Sequence, residues 1–403
     1  MQTHERHHDF DNLRAVAMLA GVLFHAALAY SPLAHPVFPT ADRQNAAIVD
    51  QVIWLLHLVR MPLFFLLAGY FTALQVERHG FGGMVRQRAL RIGVPLLLFA
   101  PLVHASLSWL TLHAAATALE PSPLLAWLRG MQESGPLPAH PPGTSHLWFL
   151  YYIMLFVLLC WVTRSLGIQR VGARIAALPT AWIIGGLPLL LTPALASVPA
   201  PHPAPESVLP QFWALAFYGA FFTLGHLMRT HPALIERCTR PSVALVACSL
   251  PLYALFLTLV TNQTPEQAFA GAAWPIALLE AIISVLMTLA CLGLGRRLLH
   301  RSHPMLAYLN DASYWTYVVH LPILFAIQYR LLDVDMHWTA KLALSVTLTL
   351  AACLLSHQML VRHTPLAYLF GSATRSASRR HNYKNDSAPP SRPHRPAEPP
   401  RGR

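Results

Sequence analysis

A polytopic all-α bundle of membrane helices is the fold that this sequence predicts, and three observations carry it. The 403-residue chain is 55% hydrophobic and only 11% charged, under half the charged share of an ordinary soluble domain. Its apolar residues fall into blocks of about 20, the length that crosses the hydrocarbon core of a bilayer. The arginines between those blocks alternate from loop to loop, the pattern left when Lys and Arg are retained on the cytoplasmic side.

The blocks place about ten transmembrane helices, at 12–31, 49–75, 91–113, 147–165, 178–198, 209–228, 243–261, 273–295, 312–330 and 339–361. The even-numbered loops carry Arg78, Arg86, Arg88 and Arg91, then Arg164, Arg170 and Arg174. Next come Arg229, Arg237 and Arg240, then Arg296, Arg297 and Arg301. The odd-numbered loops carry only Arg43, Arg129 and Arg330, so both termini are expected in the cytoplasm. A competing reading makes the first block a cleaved secretory signal, because "AALA" offers an A-x-A pattern at Ala27 and Ala29. Glu5, Asp9 and Asp11 in place of a basic leader argue against it.

The net charge of +12 does not point to nucleic acid. Nine of the 29 Lys and Arg lie from Arg362 onward, and most others sit in short loops, where they orient the chain in the lipid bilayer. Cys160, Cys238, Cys248, Cys291 and Cys353 stand singly in or beside apolar blocks, a pattern that implies neither disulfides nor a metal site. One membrane domain is expected over residues 9–362. Residues 371–403 form a basic, Pro-rich stretch with almost no large apolar residue, expected to be a disordered cytoplasmic tail that can touch anionic lipid. Two Pro-rich outer segments, 114–146 and 199–208, are long enough to cover a site.

In "DNLRAVAMLAGVLFHAALAY", Arg14 and His25 are 11 residues apart, close to three helical turns, so they share a face about 16 Å apart along the axis. Arg14 either snorkels to the headgroups, with Asp11 as a neighbour, or points along that face to a ligand. His25 either packs against another helix or offers a neutral imidazole as a general base. Arg60, well inside the second block, must meet an anion, a carbonyl or water. His57 lies one turn before it, and Gly69 would let a neighbouring backbone approach.

Arg86, Arg88 and Arg91 at the inner edge are either ordinary anchors or a site for a cytoplasmic polyanion. His146 and Trp148 open the fourth block from the outside, either as an interfacial belt or as a platform for a sugar ring. Tyr317 and His320, three apart, face one side of the ninth. Glu280 and His226 read as structural or edge residues.

"DNLRAVAMLAGVLFH", "RMPLFFLLAGYF", "RQRALRIGVP", "HLWFLYYIMLF" and "SYWTYVVHLPIL" follow one another as in the membrane acyltransferase 3 family. "HLWFLYY" resembles its glucans biosynthesis protein C-like branch. The resemblance spans about Asp9 to Arg362. It implies a multi-pass enzyme of the bacterial inner membrane. Such an enzyme takes an acyl group from cytoplasmic acyl-CoA, a co-substrate rather than a bound cofactor, and esterifies a carbohydrate hydroxyl at the outer face. His25 matches the family's essential histidine and Arg14 its motif arginine.

For that chemistry His25 and Arg14 are the catalytic residues, Arg14 also holding the donor's phosphates with Arg86, Arg88 and Arg91, and Arg60 joins the donor-binding set. His57, His146, Trp148, Tyr317 and His320 would support the acceptor, with Tyr317 and His320 orienting it or stabilising an oxyanion. Many sugar O-acetyltransferases of the family carry a serine and glutamate pair after the tryptophan where this chain has "HLWFLYY". That departure leans toward the glucan-modifying branch and leaves both acetyl and succinyl as the transferred group. Direct transfer and an acyl-histidine intermediate both stand. Two other classes are a secondary transporter with Arg14, Arg60 and His25 along its path, and a haem-binding cytochrome suggested by 22 histidines.

Overall fold

The computed structural model describes residues 8–135, 143–167, 169–301 and 303–370, and these are helical with no β-strand among them. The first half contains α1 (His8–Ala27), α2 (Ala47–Arg88), α3 (Val94–Thr117), α4 (Pro123–Ser134), α5 (Trp148–Ser165), α6 (Gln169–Ala177) and α7 (Thr180–Ala196). The second contains α8 (Phe212–Thr230), α9 (Pro232–Thr239), α10 (Ser242–Thr261), α11 (Pro265–Phe269), α12 (Trp274–Leu298), α13 (Pro304–Leu332), α14 (Trp338–Ser356) and α15 (Leu366–Phe370). Each predicted apolar block falls on one of these helices, but α2 runs 13 residues beyond the second block and α13 begins 8 residues before the ninth. The predicted tail, 371–403, lies outside the described residues, as does 136–142 of the first outer segment.

Among the described residues, six continuous helical stretches are apolar and long enough to cross a membrane: His8–Tyr30, Ala47–Thr117, Ser145–Ser165, Ser242–Thr261, Trp274–Leu298 and Trp338–Val361. A seventh candidate is the pair α6 and α7, bent by 119° at its break. The stretch from Ala47 to Thr117 joins two of the predicted blocks without a loop. α2 runs on to Arg88, broken at Gly80 (φ 68°, ψ 174°), and a π-helical turn over Ala89–Gly93 leads into α3. The left-handed φ at Gly80 costs a glycine nothing, because it has no Cβ to clash. The basic run that hydropathy marks as a loop consists mostly of residues that favour helix.

The Pro-rich 114–146 segment also gains a helix. Pro123 occupies the first turn of α4, where its missing N–H is no loss, and the Ser122 hydroxyl accepts the Leu125 N–H at 3.2 Å. Arg129 then fastens α4 beneath α3 by donating from Nε to the Ala115 carbonyl at 2.6 Å.

The core centres on α2 packed against α8. A Cβ on Gly69 would lie 1.9 Å from the Phe222 carbonyl oxygen, and one on Gly225 would lie 1.8 Å from that of Leu66. The two backbones touch at reciprocal glycines, as the small residue at 69 leads one to expect. Two buried polar staples fix the segment between α1 and α2. Asp50 accepts the Ser31 hydroxyl and the Trp54 indole N–H, the latter at 3.0 Å. Lys341 of α14 pairs with Asp42 at 2.5 Å, both side chains almost wholly buried.

Candidate active site

One cavity of about 2170 Å³ runs between the helices, larger than the pockets that hold a single drug-sized molecule. α1 lines it through Asp11, Arg14, Met18, Gly21, Val22, Phe24 and His25. Arg14 and His25 therefore do share a wall, as their spacing in one unbroken helix requires. The lining also includes Arg78, His79, Arg88 and Arg91, together with the carboxylates Asp11 and Asp311. Arg88 is 9% exposed and donates from Nη2 to the Thr72 hydroxyl at 2.9 Å. Arg91 sits on the π-helical turn. Arg86 does not join them; it is exposed and outside the cavity lining, because it occupies another face of α2.

Farther along, the wall is made of aromatic rings and histidines. The Arg60 guanidinium lies over the Phe24 ring at 4.4 Å, a cation–π contact. The His57 ring stacks on the same phenylalanine, 5.5 Å between centroids. Arg60 is 9% exposed and donates from Nη1 to the Gly21 carbonyl at 3.2 Å. Its Nε is buried without a partner, and among the described residues no carboxylate pairs with it. His25 makes no hydrogen bond to any described residue, and its ring lies 5.4 Å from that of His320.

His320 donates from Nδ1 to the Tyr317 carbonyl at 2.8 Å, and His146 donates from Nε2 to the same carbonyl at 2.9 Å. The Tyr317 hydroxyl donates to the His146 carbonyl. Those contacts fix both rings in tautomers whose other nitrogen carries a lone pair, and His146 Nδ1 and His320 Nε2 are left without partners. They also bear on the role expected for Tyr317 and His320. Their donors are spent on carbonyls, so this pair fits the positioning of hydroxyl groups better than the stabilisation of an oxyanion. Trp148 also lines the cavity, 6.0 Å from Phe65.

Sequence reasoning missed His202 and undervalued Glu280. His202, in the 199–208 segment, is a cavity residue whose backbone N–H and Nδ1–H both go to Glu280 Oε1 of α12, at 2.9 and 2.7 Å. The available signal was a lone carboxylate inside "WPIALLEAIISVL", since an acid within an apolar helix requires a partner.

Arg14, Arg88, Arg91 and Arg60 thus line one cavity together with His25. The chain belongs to the acyltransferase-domain family, which it matches over residues 7–357. Among curated relatives it is similar to glucans biosynthesis protein C of Salmonella typhi, 28% identical over 349 residues covering 79% of this chain and 82% of the relative. The corresponding protein of Salmonella typhimurium gives the same figures, and that of Salmonella schwarzengrund is 27% identical over the same span. No solved structure matches the chain.

Proposed function

We propose that this protein transfers an acyl group, acetyl or succinyl, from cytoplasmic acyl-CoA to a hydroxyl of a glycan on the far side of the bacterial inner membrane. The observation that carries the proposal is that Arg14 and His25 line the same cavity from α1. In this reading ten helices cross the membrane, the termini are cytoplasmic and the Arg14 end of the cavity faces the cytoplasm. Arg14, Arg88 and Arg91 take the phosphates of coenzyme A, and the thioester arm reaches along the roughly 16 Å of helix to His25.

His25 removes the proton from the attacking hydroxyl as its oxygen forms a bond to the thioester carbonyl carbon. Collapse of the tetrahedral adduct breaks the carbon–sulfur bond, and the proton held by His25 passes to the departing thiolate. No net proton is consumed, and the products are the ester and free coenzyme A. Arg60, a buried cation beside the reacting centre, takes the distal carboxylate of a succinyl-type chain. The names of the relatives supply the acceptor class, a glucan.

The test is transfer of a labelled acyl group in inner-membrane vesicles containing wild type, His25→Ala or Arg14→Ala protein. Wild type is expected to acylate glucan and His25→Ala to lose transfer. Full transfer by His25→Ala would overturn the role of the base.

A further inference from the structure

We infer that the buried Glu280–His202 pair is a positioning device for the acceptor: it sets the His202 carbonyl so that His57 presents a free ring nitrogen to the hydroxyl of an incoming sugar. The inference rests on the acyl-transfer reading and adds to it two residues that the family comparison does not assign.

Glu280 is fully buried on α12, and one of its oxygens accepts both the backbone N–H and the Nδ1–H of His202, at 2.9 and 2.7 Å. With Nδ1 as donor, His202 Nε2 accepts the Tyr218 hydroxyl at 3.0 Å. The ring is held on both sides, so the 199–208 segment is pinned to α12 and α8 at its centre. Such a pin is costly in apolar surroundings, because a carboxylate taken out of water must be compensated by hydrogen bonds. Fixing a loop residue at the cavity wall gives the pair a purpose beyond packing.

The pinned residue reaches the site through its carbonyl. His57 Nε2 contacts the His202 oxygen at 2.7 Å, and a carbonyl only accepts, so Nε2 carries the proton and Nδ1 the lone pair. Nδ1 has no protein partner among the described residues, on a side chain that lines the cavity. The ring is held by stacking on Phe24, the neighbour of His25, and by the edge of Trp54 at 5.4 Å. Its acceptor nitrogen is thus fixed in tautomer and in plane, on a ring that shares Phe24 as a neighbour with His25, the residue assigned as base. Sugars present several O–H donors together. A fixed lone pair in the same cavity as the base binds one hydroxyl and brings its neighbour into register for attack.

The experiment measures two constants in vesicles holding the full chain, KM for acyl-CoA and KM for short glucose oligomers. It also measures equilibrium binding of a radiolabelled glucose oligomer to purified protein in detergent. Glu280→Ala, which removes the acceptor for His202, and His57→Phe, which keeps the ring stacking but removes Nδ1, are each expected to raise the acceptor KM roughly tenfold, the worth of one hydrogen bond to substrate. The acyl-CoA KM should stay within about twofold of wild type, well below that tenfold effect. Glu280→Gln, which retains an amide oxygen for the His202 donors, should restore most of the acceptor affinity.

A purely structural role would lower the maximal rate with the amount of folded protein and leave both KM values alone; that result overturns the inference. If Glu280→Ala does not fold, His57→Phe decides. Absence of transfer by wild type would count against the acyl-transfer reading, whereas the oligomer-binding comparison would still support or reject the positioning role.

Discussion

Arg60 is the residue whose surroundings ask most plainly for a ligand. Its charge is held by a phenylalanine face and one backbone carbonyl, while Nε has no partner. Hydrogen bonds to charged groups are worth more than neutral ones, so the carboxylate of a dicarboxylic acyl chain would gain from this site. Arg60→Met is therefore expected to lower kcat/KM for succinyl-CoA roughly tenfold to hundredfold with little effect on acetyl-CoA. An equal loss with both donors would instead assign Arg60 to the oxyanion. Arg14→Ala should act at the other end of the cavity, raising the KM for acyl-CoA while the acceptor KM holds; initial rates at varied donor concentration check this. Arg86→Ala should leave the donor KM near wild type, because its side chain lies outside the cavity lining.

At the scale of elements, the α2–α8 contact is the least forgiving. The Cβ of Gly225→Ala would collide with the Leu66 carbonyl at 1.8 Å, and backbone cannot yield as a side-chain tip can. The expected cost is about 3 kcal/mol, read as a lowered midpoint in thermal unfolding of the purified protein in detergent. Gly80→Ala offers a contrast: nothing lies within 4 Å of the added methyl. The cost, about 1 kcal/mol, then comes from the left-handed φ alone. The long helices were legible because a bilayer forces apolar runs of fixed length. The continuation of α2 past residue 75 was not, because Arg78, Arg86 and Arg88 lower the hydropathy that marks a span while leaving helix formation favourable. α4 was obscured by the prolines of its segment, of which Pro123 starts the helix instead of excluding it.

At the scale of the whole molecule, the Asp42–Lys341 pair joins the α1–α2 connection to α14 across 299 residues of sequence. Removing one partner leaves a buried charge uncompensated, so Lys341→Met should cost about 3–5 kcal/mol. The double change Asp42→Asn with Lys341→Met should recover much of it. A double-mutant cycle in unfolding experiments measures the difference. The ten-span topology has its own check. Single cysteines placed in the even-numbered loops should be shielded from an impermeant thiol reagent applied to the outside of intact cells, and those in odd-numbered loops labelled.

The sequence by itself determined the helical class, the face shared by Arg14 and His25, and the family resemblance. These depend on local periodicity and on motif order, which need no knowledge of what lies opposite. Only the tertiary structure decided that Arg88 and Arg91 enter the cavity and Arg86 does not. Three arginines within six residues are alike on paper, and helix phase with a π-helical turn separates them. Only the tertiary structure, likewise, paired His202 with Glu280, 78 residues away, and through it gave His57 a defined tautomer. Side-chain chemistry is written in the chain, but the state of an imidazole is set by its neighbours, and folding chooses those.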